Sequence, residues 1–108
     1  MLGRIDRYAQ GGAALMTYVF SKSLDNSPKE PLEYYVEFDA LRNEIRKVEV
    51  YPDGRIGYAT QGKNTPGTEL GLLPAPPFSE ILKIEGLDSR QITALEFQTM
   101  WQKAIGGK

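Results

Sequence analysis

The sequence predicts an α+β fold: an antiparallel sheet of about four strands with a central β-hairpin, covered on one face by one short and one longer C-terminal helix. Three observations predict it. Strand-like alternation fills the N-terminal half. A Pro-Asp-Gly turn divides two alternating runs. A capped stretch with helical periodicity closes the chain. At 108 residues, the length suits one domain with one modest core.

Residues 1–15 (MLGRIDRYAQGGAAL) stand apart. Gly11 and Gly12 would break a helix begun at Ile5, and no strand alternation is present. This stretch is expected to be a weakly ordered arm, leaving residues 16–105 as a single α+β domain. Met16 opens the first strand signal and is also a candidate start codon.

Residues 17–21 (TYVFS) are rich in β-formers and predict a strand. Residues 24–31 hold two prolines, an Asn and an Asp, and predict a loop. Residues 32–39 alternate, with Tyr34, Val36 and Phe38 pointing one way and Tyr35 and Glu37 the other. Residues 44–51 alternate again, with Val48 and Val50 opposed to Lys47, Glu49 and Tyr51. Ile45 is out of phase with Val48. A β-bulge near Arg46, or burial on the second face, would account for it.

Pro52-Asp53-Gly54 is the strongest local signal. It predicts a three-residue hairpin loop with Gly54 in the left-handed position. Tyr51 then faces Arg55, Val50 faces Ile56, Glu49 faces Gly57, Val48 faces Tyr58 and Lys47 faces Ala59. Val48, Val50, Ile56 and Tyr58 form one apolar face, and a one-residue slip would bury Lys47 and Glu49 instead.

Residues 62–77 hold three Gly and four Pro. A loop this long is either functional or a wrapping segment whose Leu70, Leu72 and Leu73 cap a core edge. Residues 78–84 predict a short helix ended by Gly86. Thr93 and Glu96 make a capping box, with Ile92 and Phe97 as its hydrophobic staple. Phe97, Met100, Trp101, Ala104 and Ile105 follow at helical spacing, which places Trp101 in the core. Packed on Val36, Phe38, Val48, Val50 and Ile56, this helix would leave the opposite face open. That face would carry Tyr35, Glu37, Lys47, Glu49, Tyr51 and Arg55.

Composition removes most chemistry. The chain has no Cys and no His. Disulfides, thiolate or imidazole metal sites, Cys nucleophiles and Ser-His-Asp triads are excluded. No cofactor, catalytic residue or metal site is expected, and the chain reads as a non-enzyme. A net charge of −1 argues against nucleic acid. No run reaches the ~20 apolar residues that span a membrane, and no secretory signal is evident, so a cytoplasmic location is expected. Gly57 and Gly62-Lys63-Asn64 have part of a phosphate-loop spacing, but no Ser or Thr follows the Lys and no helix follows the loop.

The motifs then point to a family. Tyr35-Val-Glu37-Phe-Asp39 is followed by Glu44-x-Arg46-Lys47-Val48-Glu49-Val-Tyr51-x-Asp53-Gly54. Downstream come Pro74-x-Pro76-Pro77-x-Ser79-Glu80-Ile81 and Ile92-Thr93-x-x-Glu96-Phe97-x-x-x-Trp101. Over residues 16–104 the chain resembles a family of short bacterial domains of unknown function, some in toxin–immunity-like gene neighbourhoods. The resemblance implies a small α+β fold and a protein-binding role, and identifies no catalytic residue.

The expected function is therefore a non-catalytic protein-binding module, of immunity type, that meets a partner through Tyr35, Glu37, Lys47, Glu49, Tyr51 and Arg55. Tyr and Arg are common interface anchors. Two alternatives stand beside it. One is a small-ligand binder or modest hydrolase using Glu37 and Glu49 as paired carboxylates. The other is a homo-oligomer, such as a homodimer, pairing through an edge strand at residues 17–21 or through the open face.

Overall fold

The computed structural model describes residues 16–25 and 27–106. The expectation for residues 1–15 lies outside the described residues. In chain order the elements are β1 (Thr17–Ser23), β2 (Glu33–Phe38), β3 (Glu44–Val50), β4 (Ile56–Thr60), β5 (Lys63–Asn64), α1 (Phe78–Ile81), β6 (Leu87–Ile92) and α2 (Ala94–Ile105). One sheet joins all six strands in the order β5-β4-β3-β2-β1-β6, and every pairing is antiparallel.

The hairpin forms as its turn residues dictate. Val50 pairs with Ile56, Val48 with Tyr58 and Lys47 with Ala59. Gly54 has φ +90°, and its N–H donates to the Tyr51 carbonyl at 2.9 Å. Only a residue without Cβ takes that conformation cheaply.

The sheet exceeds the four strands expected. β5 is a two-residue extension, and β6 is the substantive addition. Its sequence, LDSRQI, has neither alternation nor β-propensity. It is a strand because six of its residues pair along β1. The hydroxyls of Ser21 and Ser89 meet at 2.7 Å, and the Arg90 guanidinium lies 5.1 Å from the Phe20 ring centre. β1 is therefore an interior strand, not the edge that residues 17–21 were expected to form.

The two β2–β3 faces also differ from expectation. Tyr35 pairs with Val48 and Glu37 with Arg46, while Tyr34 pairs with Glu49 and Val36 with Lys47. Tyr35 and Glu37 thus share a face with Val48, and Tyr34 and Val36 share the other with Glu49. The expected grouping of Tyr34, Val36 and Phe38 with Val48 and Val50 is off by one residue. The cause is local. Asp39 Oδ1 accepts the amides of Leu41 and Asn43, each at 2.9 Å, and Arg42 sits at φ +66°. The pairing then shifts between Glu37 and Phe38, so that Phe38 meets Glu44 and Ile45 is the extra residue. That is the bulge which the phase of Ile45 signalled.

The helices cover opposite faces rather than one. α2 packs Phe97, Trp101 and Ala104 against Val48 and Ile92, with Tyr18, Phe20, Tyr35, Ile56 and Tyr58 around them. This is the helix face. On the other side, Ile81 of α1 joins Val19, Val36 and Phe38, with Tyr34, Ala75 and Phe78 partly buried beside them. This is the segment face, because residues 62–77 run across it. The expected helix at 78–84 is α-helical only over Phe78–Ile81. The amides of Lys83 and Ile84 then donate three residues back, to Glu80 and Ile81, in a tighter turn.

α2 begins as its capping box requires. The Thr93 hydroxyl accepts the Glu96 amide at 3.1 Å, and Glu96 Oε1 accepts the Thr93 amide at 2.9 Å. Trp101 is 8% exposed and meets Tyr58 edge-on with ring centres 5.5 Å apart. Trp101→Ala is expected to lower the unfolding free energy by about 3–5 kcal/mol, measured by urea titration. A loss below about 1 kcal/mol would contradict this packing.

Candidate functional site

The six residues expected on one open face occupy both faces of the sheet. Tyr35 and Glu37 lie under α2. Lys47 and Glu49 lie on the segment face, and Tyr51 joins them just beyond β3. Arg55 is exposed, with its guanidinium 3.9 Å from the Tyr51 ring centre and 4.0 Å from Asp53 Oδ2. The structure brings Glu49, Tyr51 and Arg55 together and keeps Tyr35 and Glu37 apart from them. No open face carries all six.

Each carboxylate has its own partners. Glu37, 5% exposed, accepts two bonds from Arg46, at 2.6 Å from Nε and 3.0 Å from Nη2. Glu49, 8% exposed, accepts the hydroxyls of Tyr51 at 3.3 Å and Thr68 at 3.1 Å. The two lie on opposite sides of the sheet, so they form no carboxylate pair. Among the described residues no group of three acidic side chains is placed to hold a metal ion.

The segment at 62–77 is tied down by polar contacts rather than by its leucines. Thr68 is fully buried against Glu49. Lys47 Nζ donates to the Glu69 carbonyl at 3.0 Å and pairs with Glu44 at 2.9 Å. The Gly71 amide donates to Glu44 Oε1 at 2.6 Å. Ala75 exchanges two bonds with Arg42: its amide donates to the Arg42 carbonyl at 2.8 Å, and its carbonyl accepts Arg42 Nε at 2.9 Å. Between the Gly71 and Ala75 anchors the chain turns Leu72 and Leu73 outward, 96% and 80% exposed. The expectation that these leucines cap a core edge is thus corrected; only Leu70 is half-buried.

Beside these anchors lies a cleft of about 360 Å³. Its floor is Val19, Val36 and Phe38, and its walls include Ala75, Pro76, Ile81 and Ile84. Polar groups enter at a few points: the Ser21 hydroxyl, the Tyr34 phenol and the Glu44–Lys47 pair. Burial raises the Tyr34 pKa, and the nearby Glu49 charge adds to that. A mostly apolar concavity with sparse, placed polar groups is the usual form of a binding site. It can hold an apolar group and hydrogen-bond its polar end.

Sequence reasoning missed this cleft. Val19, Val36, Phe38 and Ile81 read as ordinary core positions. The one usable signal was the Gly- and Pro-rich segment, whose length marked it as functional or wrapping. Nothing in the pattern marked Thr68 or Arg42 as anchors, because their partners are 19 and 33 positions away.

A family model described as a domain of unknown function, DUF6881, matches residues 17–106. No curated protein matches the chain, and no solved structure does.

Two measurements check this geometry. A Cβ at Gly57 would collide with Thr68 Oγ1 and sit 2.9 Å from Thr65 Oγ1. Gly57→Ala is therefore expected to push residues 65–68 off β4. It should lower stability by about 1–3 kcal/mol and speed amide exchange at Thr65 and Thr68. Unchanged exchange there would contradict the packing.

The second measurement concerns Tyr35. Burial, and then the Glu33 carboxylate that accepts its hydroxyl at 3.1 Å, raise its pKa from 10.0 to about 12. Folding favours the neutral phenol, so this contribution is complete below the unfolded pKa of 10.0 and is lost as pH rises to about 12. Ultraviolet absorbance of wild type against Tyr35→Phe should show one tyrosine ionising late. Ionisation of Tyr35 near its ordinary value would contradict its placement under α2.

Proposed function

Taking as premise that the chain belongs to the DUF6881 family of domains of unknown function, we propose that it is a non-catalytic protein-binding module whose recognition surface is the segment-face cleft. One observation carries this reading. The sheet presents a concave apolar site of about 360 Å³ beside a doubly anchored stretch that holds Leu72 and Leu73 in solvent. Exposed leucines on a tethered segment cost solubility and contribute nothing to the core, which fits a surface that is covered in a complex.

The occupant is a partner segment that brings a large apolar side chain. The cleft floor would take that side chain, Leu72 and Leu73 would flank it, and the Glu44–Lys47 pair at the rim would meet the segment's polar backbone. Glu37 and Glu49 serve this surface indirectly, by holding the sheet and the segment in place. Arg55, stacked on Tyr51, lies outside the cleft lining and stays exposed. An immunity-type role, in which a cytoplasmic module sequesters a partner, is the specific form suggested by the sequence resemblance.

A displayed library of random peptides provides the test. Enriched peptides should share a large apolar residue. Ile84→Lys and the double substitution Leu72→Ser with Leu73→Ser should each weaken their binding by about tenfold or more, equivalent to about 1.4 kcal/mol. Circular dichroism should be unchanged, since these side chains lie at the surface. Peptides that bind both variants as tightly as wild type would overturn the reading, and so would a library with no enrichment.

A further inference from the structure

The two ends of the sheet are finished differently. At one end β5 has two residues, and Pro66 follows two positions later, so little strand edge is offered there. At the other end β6 is six residues long, contains no proline and pairs with β1 without a bulge. α2 leaves β6 at Thr93 and packs across β1 to β4. Among the described residues, no strand pairs with the outer edge of β6.

A regular edge that no other described strand covers is a template for another strand. We propose that the outer edge of β6 is a homodimer interface, where β6 of a second copy of this chain adds antiparallel about a two-fold axis perpendicular to the sheet. This surface is separate from the cleft, and the proposal does not rest on the binding function proposed above.

Side-chain charge selects the partner and the register. Asp88 and Arg90 pair with Lys22 and Phe20 along β1, so both project on the helix face. In a two-fold antiparallel pair, opposed residues project to the same side. Placing Ser89 opposite its own copy sets Asp88 against Arg90 of the other chain, twice. The next same-face register in one direction opposes two Asp88 carboxylates. The next in the other direction opposes two Arg90 guanidinium groups. One register is therefore attractive, and its neighbours bring like charges together. The strand is self-complementary, as a homodimer edge must be and as a binding edge for an unrelated chain need not be. Arg90 is accessible for this pairing: its side chain is 61% exposed, resting over the Phe20 ring at 5.1 Å and meeting Glu96 at 3.5 Å. The product is one continuous sheet across both copies, with α2 on the same side in each.

Sedimentation equilibrium on the full chain tests this. Wild type should pass from monomer to dimer as concentration rises. Asp88→Arg and Arg90→Asp should each weaken self-association by about tenfold or more, because each sets like charges opposite one another twice. An equimolar mixture of the two variants should recover wild-type association, since each chain then meets its opposite charge. Thermal melting of each variant separates loss of association from loss of fold, and Asp88→Arg leaves the Arg90 contacts to Phe20 and Glu96 intact. A wild-type monomer at every concentration would overturn the proposal. So would a dimer insensitive to both reversals, or a mixture that fails to recover.

Discussion

The fold turns on the contact between Arg46 and Glu37. These two side chains face one another across β2 and β3, on the helix face, joined by two charge-assisted bonds. The guanidinium lies 4.9 Å from the ring centres of both Phe97 and Trp101, and Gln98 accepts a further bond at 3.3 Å. One side chain thus ties two strands to the helix above them. A carboxylate this buried is costly without its partner. A one-residue change in pairing between β2 and β3 would strand Glu37 and expose Tyr35, so this contact opposes any slip of the two strands.

The division of labour between the faces follows. With Tyr35, Glu37, Arg46 and Val48 committed to the helix face, Tyr34, Val36, Lys47 and Glu49 must project to the other. The helix face is closed by aromatic packing, with the Phe97 and Trp101 rings stacked 6.2 Å apart. The segment face is closed by polar ties: Thr68 on Glu49, Gly71 on Glu44, Ala75 on Arg42 and Glu69 on Lys47. Such ties fix the path of a Gly- and Pro-rich chain without burying Leu72 or Leu73. They leave the leucines outside and the apolar strand residues Val19, Val36 and Phe38 only partly roofed, and the cleft is the space that remains.

How much was legible depended on the range of the cause. The hairpin at Pro52-Asp53-Gly54, the capping box at Thr93 and Glu96, and the core position of Trp101 each follow from residues close in sequence, and all three form as expected. The bulge announced itself through Ile45. The phase between β2 and β3 did not, because it depends on the conformation of residues 39–43, where Arg42 adopts a left-handed backbone that its identity does not advertise. β6 was invisible for a related reason: its residues take strand geometry from their pairing with β1, not from their own preferences. The candidate site suffered most. A face assigned from alternation inherits any error in phase, so Tyr35 and Glu37 were grouped with side chains that lie on the opposite face.

By itself the sequence determined the α+β class, the hairpin and its register, the capped C-terminal helix, and the absence of Cys and His chemistry. Those properties rest on composition and on interactions spanning a few residues. The tertiary structure alone decided which strand faces share a side, that a sixth strand extends the sheet, that the helices lie on opposite faces, and that Glu37 and Glu49 never meet. Each of these depends on contacts between residues far apart in the chain. Their energies are set by burial and by partner geometry, and neither exists until the chain has folded.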